Sequence, residues 1–178
     1  MTELEKAPDD LNEVVAELIE TLTARGETIA TAESLTGGLI GAEITAVSGA
    51  SAIYRGGVIS YATDLKARLA GVREATLAEH GAVAALTAVE MALGVADRCD
   101  ASWGIAVTGV AGPDSQEGHP VGTVFSAVAR RQAAIGWDDP ATDSEVCVRQ
   151  LKLSGGRDEI RRQTVEATLR QLHGVCLG

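Results

Sequence analysis

Aromatic residues, basic clusters and long apolar runs are all scarce in this chain. Aromatic residues make up 3% of its 178 positions, so its core must be built from small aliphatic side chains, which favours close packing of helices on a sheet. No run of Lys or Arg is longer than two residues, and the net charge is −10. So acidic a chain is a poor general nucleic-acid binder, because phosphate contacts need clustered cations.

Metal-binding and membrane-spanning patterns are also missing. Cys99, Cys147 and Cys176 are far apart and form no Cys-x-x-Cys or Cys/His set, so we predict no metal site, and we expect no cofactor. Their odd number indicates free thiols in a reducing compartment. No stretch approaches the ~20 apolar residues of a membrane span, and residues 1–10 are too polar for a signal peptide. We therefore predict a cytoplasmic protein without a membrane partner.

Apolar periodicity divides the chain into alternating helices and strands. We expect residues 1–8 to be a flexible tail and residues 9–178 to form a single domain. Helices between the first three strands require parallel crossovers, whereas loops between the last three favour antiparallel neighbours. The prediction is an α/β fold, a three-layer α/β/α sandwich with a mixed, mostly parallel five-stranded sheet. The predicted strands cover residues 27–33, 56–61, 102–107, 121–129 and 143–153. The predicted helices cover residues 11–25, 39–47, 63–70, 76–80, 84–98 and 157–173, with loops at 48–55 and 130–142.

A serine followed by a glycine turn stands where the first predicted strand changes into a helix. Residues 29–40 read Ile-Ala-Thr-Ala-Glu-Ser-Leu-Thr-Gly-Gly-Leu-Ile, an apolar run that ends at Glu33-Ser34 and continues into Thr36-Gly37-Gly38. A helix start offers open backbone N–H groups, which bind anions. The same point can carry a nucleophile if a base lies nearby. Ser34 is therefore either a nucleophile or a helix cap, and Glu33 either orients a neighbouring group or is a solvated charge.

Two further strand ends carry residues that could face Ser34. The second predicted strand ends at Tyr61 and is followed by Lys66, and the third is followed by Thr108-Gly109 and the bend at Gly112-Pro113. If the first strand lies between the other two, these residues converge at the carboxyl edge of the sheet. Burial would lower the pKa of Lys66 and let it act as the base for Ser34, assisted by the Tyr61 hydroxyl.

The same residues also allow structural interpretations. The N–H groups of Gly37 and Gly38 could form an oxyanion hole or simply open the helix. Lys66 could be a solvated helix residue, and Tyr61 a half-buried strand residue. Thr108-Gly109 could be an ordinary strand exit, and Gly112-Pro113 is a typical turn. None of the three histidines follows a strand as a catalytic base would.

Five blocks of residues carry a resemblance to a known family. The blocks are Thr31-Ala-Glu-Ser34-Leu-Thr36-Gly37-Gly38-Leu-Ile40; Gly57-Val-Ile-Ser-Tyr61 with Lys66 and Leu69-Ala-Gly71-Val72; His80-Gly-Ala-Val83 with Met91-Ala92 and Gly94; Val107-Thr108-Gly109-Val-Ala-Gly112-Pro113 with Pro120-Val-Gly122-Thr-Val124; and Gly156-Arg157 with Ile160-Arg161. In this order they resemble the CinA carboxy-terminal domain family, which comprises the competence/damage-inducible protein CinA and stand-alone nicotinamide-nucleotide amidases. The match covers residues 10–173.

The resemblance implies an amidase that hydrolyses the carboxamide of nicotinamide mononucleotide to nicotinate mononucleotide and ammonia. It implies a serine nucleophile at Ser34, with Lys66 and Tyr61 as its base system. It also implies that Thr108 contacts the substrate or shapes the oxyanion site. The remaining substrate-binding residues expected here are Glu33, Thr36, Gly37, Gly38, Gly109, Gly112 and His119. The resemblance implies the same sandwich fold as the residue patterns.

Some positions depart from the family pattern and leave an alternative open. Ala62-Thr63 replaces Ser-Asn, His119 replaces Lys, Ala84 replaces Ser and Gly156 replaces Asp. A nucleotide-binding or regulatory module with weakened catalysis is therefore the alternative to an active amidase. The expected partner is a small mononucleotide substrate, without direct nucleic-acid contact, and the Ala-rich helices leave room for a homodimer.

Overall fold

A computed structural model describes residues 10–131 and 145–178 of the chain. Five strands form one mixed sheet of order β2-β1-β3-β4-β5. The strands are β1 (Ile29–Glu33), β2 (Tyr54–Ile59), β3 (Trp103–Gly109), β4 (Thr123–Arg130) and β5 (Val146–Lys152). The helices are α1 (Leu11–Arg25), α2 (Leu39–Ala46), α3 (Thr63–Ala70), α4 (Glu74–His80), α5 (Ala85–Arg98) and α6 (Arg157–Leu177).

The strand directions confirm the predicted three-layer α/β/α sandwich. Strand β1 pairs in parallel with β2 and β3, and β3, β4 and β5 are antiparallel neighbours. Helices α1, α2 and α6 pack on one face of the sheet, and α3 and α5 pack on the other. Glu33, Ile59 and Val107 lie in register across the three parallel strands, so the predicted convergence of their carboxyl ends is also confirmed.

Small residues let α5 lie unusually close to the sheet. Ala30, Ala32 and Ala106 are fully buried beneath this helix. A Cβ atom added at Gly104 would overlap the backbone carbonyl of Ala92. The small-aliphatic core expected from the scarcity of aromatic residues is therefore present, and it holds the strand ends at fixed separations.

The position of Tyr54 differs from the prediction. It is the first residue of β2, whereas the sequence placed it in a loop over residues 48–55. Its hydroxyl lies 2.8 Å from Thr31 Oγ1, in space that Gly41 and Gly57 leave open because they have no side chains. Residues 50–52 of the predicted loop form a 3-10 turn. Strand β2 consequently ends at Ile59, two residues earlier than predicted.

Other boundaries differ by a few residues, for reasons visible in the pairing. Strand β3 continues to Gly109 because its antiparallel ladder with β4 extends to Val124. Helix α6 continues four residues past His173, to Leu177. The remaining starts that differ are residue 29 for β1, 74 for α4, 85 for α5, 103 for β3, 123 for β4 and 146 for β5. The predicted tail and residues 132–144, which include the start of the predicted fifth strand, lie outside the described residues.

A buried carboxylate on α5 fixes the start of α4. The Glu90 carboxylate accepts hydrogen bonds from the Arg73 backbone N–H (2.9 Å), the Arg73 guanidinium (2.6 and 2.8 Å) and the Thr76 hydroxyl (2.8 Å). The Glu90 side chain is 3% exposed. These donors satisfy a buried charge, and they attach the α3–α4 segment to α5.

We predict that Glu90→Gln lowers the free energy of unfolding by about 1–3 kcal/mol, because hydrogen bonds between the charged carboxylate and its donors are lost or weakened. Urea denaturation at pH 7 measures this change. Glu79→Gln on α4 is the matched control, because it removes the same charge from a side chain that is 77% exposed. Equal stability of the two variants would contradict the assigned role of Glu90.

Candidate active site

A pocket opens at the carboxyl ends of β2, β1 and β3. Its walls are formed by these strand ends, the turn before α5, the loop of residues 110–122 and the first residue of α6. Six of the predicted site residues line it: Ser34, Tyr61, Lys66, Thr108, Gly109 and Gly112. The other five, Glu33, Thr36, Gly37, Gly38 and His119, are not in its lining.

Ser34 and Lys66 are in direct contact inside the pocket. Lys66 Nζ lies 3.0 Å from Ser34 Oγ and is 2.8 Å from the Ser60 carbonyl oxygen. The Tyr61 carbonyl oxygen is 3.4 Å from the same nitrogen. The Lys66 side chain is among the largest fully buried side chains of the molecule, so the interpretation of it as a solvated helix lysine is wrong.

Burial lowers the pKa of Lys66 to about 8, and the charge of Glu117 opposes this effect. The neutral amine is therefore accessible near physiological pH. A neutral Lys66 has two N–H bonds, which can be donated to the Ser60 and Tyr61 carbonyls, and one lone pair. With both donors so directed, the lone pair is available to the Ser34 hydroxyl proton. This arrangement suits a general base acting on a serine nucleophile.

Glu33 supports the site from the opposite face of the sheet. Because side chains alternate along a strand, Glu33 and Ser34 point to different faces. The Glu33 carboxylate is 2% exposed and accepts hydrogen bonds from the Thr36 hydroxyl (2.7 Å) and from the N–H groups of Gly38 (2.9 Å), Ile40 (3.1 Å) and Gly41 (2.9 Å). The solvated-charge interpretation is wrong, and the carboxylate anchors the start of α2.

The two glycines after Ser34 do not supply free N–H groups. The Gly37 N–H donates to the Ser34 carbonyl (3.1 Å), and the Gly38 N–H donates to Glu33. Their φ angles of +62° and +101° explain why glycine stands at both positions. The expectation that these N–H groups form an oxyanion hole is therefore wrong. Within the described residues, the N–H groups of Leu35 and Thr36 have no hydrogen-bond partner, and Leu35 lines the pocket.

The Thr108 side chain contacts the backbone of the turn before α5, whereas the His119 ring contacts Phe125. The Thr108 hydroxyl is buried and donates to the Ala82 carbonyl (2.6 Å), so this hydroxyl fixes the turn before α5 against β3. The His119 ring lies edge-on to Phe125, with a centroid separation of 6.3 Å. Its backbone pairs with that of Gln116 in a tight turn.

Arg157 is a site residue that the sequence reasoning did not assign. Its guanidinium donates to the Gly112 carbonyl (2.6 Å) and to the Tyr61 hydroxyl (2.7 Å). The expected contact of the Tyr61 hydroxyl with the base is thus replaced by a contact with Arg157. Arg161, one turn later, donates to the carbonyls of Leu35 (3.0 Å) and Thr36 (2.9 Å). Both arginines belong to the closing block Gly156-Arg157…Ile160-Arg161, which was the available signal.

Residues 10–131 and 145–178 contain neither a metal-binding cluster nor a membrane-spanning helix. No cluster of three or more His, Cys, Asp or Glu side chains in these ranges is arranged to hold a metal ion. No helix there has the length and apolar character needed to cross a membrane.

The chain is similar to known proteins over nearly its whole length. The model of the CinA C-terminal domain matches residues 11–176. The chain belongs to the CinA C-terminal domain family. It is 38% identical to the nicotinamide-nucleotide amidohydrolase PncC of Escherichia coli K12, over 92% of this chain and 93% of that protein. It is 45% identical to a CinA-like protein of Frankia casuarinae over 97% of this chain, but it spans only 36% of that relative's length.

Solved structures of the family share the fold. The competence/damage inducible protein CihA of Agrobacterium tumefaciens superposes with a TM-score of 0.83 at 34% identity, and the match covers 97% of this chain and 99% of that one. A competence or damage-inducible protein of Enterobacter asburiae superposes with a TM-score of 0.85 at 29% identity, covering 95% and 99% of the two chains. The predicted family and fold are therefore confirmed.

The buried amine of Lys66 gives a prediction for stability against pH. Above pH 8 the folded protein releases the Lys66 proton, whereas the unfolded chain holds it up to the ordinary pKa of 10.5. Between these values the unfolded state binds more protons, so the free energy of unfolding of the wild type gains up to about 1.4 kcal/mol per pH unit from this residue. We expect the gain to be absent in Lys66→Met.

Urea denaturation from pH 7 to 10.5 measures this gain as the difference between wild type and variant. Lys152→Met is the control, because Lys152 is exposed on β5 and its removal leaves the buried amine in place. If the free energy of unfolding changed with pH equally in the wild type and Lys66→Met, burial would not lower the pKa of Lys66.

Proposed function

We propose that this chain is a nicotinamide-nucleotide amidohydrolase that converts nicotinamide mononucleotide to nicotinate mononucleotide and ammonia. The observation that carries the proposal is the 3.0 Å contact between Lys66 Nζ and Ser34 Oγ inside a pocket at the strand ends. The similarity to PncC, which extends over 93% of that protein, supports the substrate class.

The first half of the reaction transfers the acyl group to Ser34. Neutral Lys66 accepts the hydroxyl proton as Ser34 Oγ attacks the carboxamide carbon, and a tetrahedral intermediate forms. The open N–H of Leu35, the residue after the nucleophile, is the candidate donor to the oxyanion. The Lys66 ammonium then gives its proton to the leaving nitrogen. The C–N bond breaks, ammonia leaves and an ester on Ser34 remains.

The second half hydrolyses this ester. A water molecule attacks the ester carbon and Lys66 takes its proton. The C–O bond to Ser34 then breaks, and the proton returns to Ser34 Oγ. In both halves the carbonyls of Ser60 and Tyr61 stabilise the transient ammonium, because each accepts one of its N–H bonds. Thus the carbonyls that orient the neutral amine also stabilise its charged form.

Arg157 is the candidate anchor for the substrate phosphate. Its guanidinium lies at the pocket wall and donates hydrogen bonds to two neutral oxygens, the Gly112 carbonyl and the Tyr61 hydroxyl. A cation with neutral partners retains its charge for an anion. Thr108, Gly109 and Gly112 form the adjoining wall, where we place the ribose. Tyr61 then acts by holding Arg157, and its exposed ring borders the pocket.

The alternative of a catalytically weakened module rested on departures from the family pattern. None of the changed positions lines the pocket: these are Ala62, Thr63, Ala84, His119 and Gly156. The Ser34–Lys66 contact is unaffected by them, so the structure gives this alternative no specific support.

Several expectations from the sequence stay predictions. They are a mononucleotide as the partner, no direct nucleic-acid contact, a cytoplasmic location, a single domain over residues 9–178 and a homodimer. The charge of −10 supports the second of them.

We predict that Ser34→Ala abolishes ammonia release from nicotinamide mononucleotide, lowering kcat by at least about three orders of magnitude, because the attacking oxygen is removed. Ammonia release is followed by a coupled glutamate dehydrogenase assay. Ser48→Ala is the control, because this serine is exposed at the end of the α2 segment. An inactive wild type, or equal rates for wild type and Ser34→Ala, would refute the proposed function.

We further predict that Arg157→Met raises KM for nicotinamide mononucleotide about 10- to 100-fold, because a charge-assisted contact with the phosphate is lost. KM for nicotinamide riboside, which lacks the phosphate, should rise much less, through loss of the contact with the Gly112 carbonyl alone. Steady-state kinetics on both substrates measure the difference. Arg162→Met is the control on the same helix, since Arg162 pairs with Asp158 at the surface. Equal KM increases for both substrates would contradict phosphate binding by Arg157.

A further inference from the structure

We infer that Glu117 is a positioning residue of the amidase site: its carboxylate fastens the loop of residues 110–122 to the turn before α5, and its negative charge acts on Lys66. The kinetic part of this inference rests on the proposed function, whereas its structural part does not. Glu117 belongs to none of the family blocks and is not in the pocket lining.

The carboxylate connects two walls of the pocket. Glu117 Oε2 accepts hydrogen bonds from the N–H groups of Ala82 (2.8 Å) and Val83 (3.0 Å). Both of these residues line the pocket, and the Ala82 carbonyl accepts the bond from Thr108. A single side chain therefore links the loop to the turn before α5 and, through that turn, to the end of β3.

The backbone at Glu117 indicates that the side chain is required there. Gln116 and His119 exchange backbone hydrogen bonds of 2.8 and 3.2 Å, so Glu117 and Gly118 are the central residues of a two-residue hairpin. Their φ angles are +51° and +78°, a conformation that favours Gly or Asn over Glu. An unfavourable residue in a strained position points to a specific role.

Gly81 provides the space for this contact. A Cβ atom at Gly81 would lie 2.5 Å from Glu117 Oε2, too close for any real contact. The φ angle of Gly81 is +79°, which glycine adopts without strain. The turn before α5 is thus shaped to receive the carboxylate.

The loop that Glu117 holds supplies much of the pocket wall. Ala111, Gly112, Asp114 and Gln116 all line the pocket, and all belong to this loop. Arg157 holds the loop at one further point, the Gly112 carbonyl. Release of the Glu117 contact leaves the segment around Gln116 without its attachment to the turn, so substrate binding should weaken.

The charge of Glu117 also acts on the base. It raises the pKa of Lys66, opposing the larger effect of burial. Other charged or titratable side chains on the surrounding elements include Glu33, Tyr61, Asp64, Arg68, Arg73, His80, Glu90, Asp114, His119 and Arg157. Of these, Glu33 is committed to the start of α2 and Glu90 to Arg73 and Thr76.

Two variants separate the contact from the charge. Glu117→Gln retains a side-chain oxygen that can accept both N–H bonds but removes the negative charge. Glu117→Ala removes both. Glu20→Gln is the matched control, because it removes the same charge from an exposed position on α1, on the opposite face of the sheet. Circular dichroism and thermal unfolding establish that each variant is folded.

The primary readout does not require turnover. Lys6, Lys66 and Lys152 are the lysines of the chain, so ¹³Cε-labelled lysine gives few signals, and Lys66→Met assigns the buried one. We expect the Lys66 titration midpoint to move to lower pH in Glu117→Gln and Glu117→Ala, and to stay in place in Glu20→Gln. Amide exchange at Ala82 and Val83 should accelerate at least about tenfold in Glu117→Ala and much less in Glu117→Gln.

The kinetic readout tests the consequence for catalysis. The acid limb of kcat/KM should move to lower pH in both Glu117 variants, because the neutral amine then persists at lower pH. KM should rise about tenfold in Glu117→Ala alone, through loss of hydrogen bonds to a charged acceptor. An unchanged Lys66 midpoint in Glu117→Gln, or unchanged exchange at Ala82 and Val83 in Glu117→Ala, would overturn the inference. A wild type without amidase activity would refute the proposed function while leaving both NMR tests decisive for Glu117.

Discussion

The burial of the Lys66 amine beside Ser34 is the constraint on which the rest of the site depends. An unpaired ammonium group in the interior is unfavourable. Burial therefore lowers the pKa of Lys66, and backbone carbonyls accept hydrogen bonds from its amine. Those carbonyls belong to Ser60 and Tyr61, which follow β2 directly. Helix α3 begins at Thr63, so Lys66 can reach back to the segment that precedes its own helix. The end of β2 and the start of α3 are thus joined around the Lys66 amine.

The sheet also keeps the buried acid and the buried base apart. Glu33 and Ser34 are adjacent in the chain, but alternation sends the carboxylate to the α2 face and the hydroxyl to the α3–α5 face. The four donors around Glu33 satisfy it completely within its own layer. If Glu33 paired with Lys66 instead, the carboxylate would favour the ammonium form and the amine would be a poor base. The sheet therefore gives the Glu33 carboxylate and the Lys66 amine separate environments.

The sequence predicted those features that follow from topology. Ser34, Lys66 and Thr108 converge because each stands at or after the end of one of three parallel strands, and helical connections between the strands made that arrangement predictable. The sequence did not predict which acceptor each backbone N–H group binds. The Gly37 and Gly38 N–H groups were expected to face a substrate, but local hydrogen bonds occupy them. Strand alternation could have revealed the direction of Glu33 in advance.

Contacts between distant segments were beyond sequence reasoning. Arg157 meets Tyr61 across 96 positions of the chain, and no periodic pattern encodes that encounter. The sequence pairs the Tyr61 hydroxyl with Lys66, whereas in the structure this hydroxyl accepts a hydrogen bond from Arg157. His119 was assigned to the substrate because it occupies the place of a family lysine, whereas its ring packs against Phe125.

The charge of Glu117 opposes the larger effect of burial on the pKa of Lys66. A general base is most effective when its pKa lies near the working pH, because it must be both neutral and able to take a proton. Burial alone would favour the neutral amine and weaken it as a base. A carboxylate in contact with Lys66 would keep it charged. Glu117 accepts hydrogen bonds from the Ala82 and Val83 N–H groups, and its charge opposes the effect of burial on Lys66 without outweighing it. The same side chain therefore holds one wall of the pocket and opposes the effect of burial on the pKa of Lys66. It couples the shape of the pocket to the pKa of Lys66.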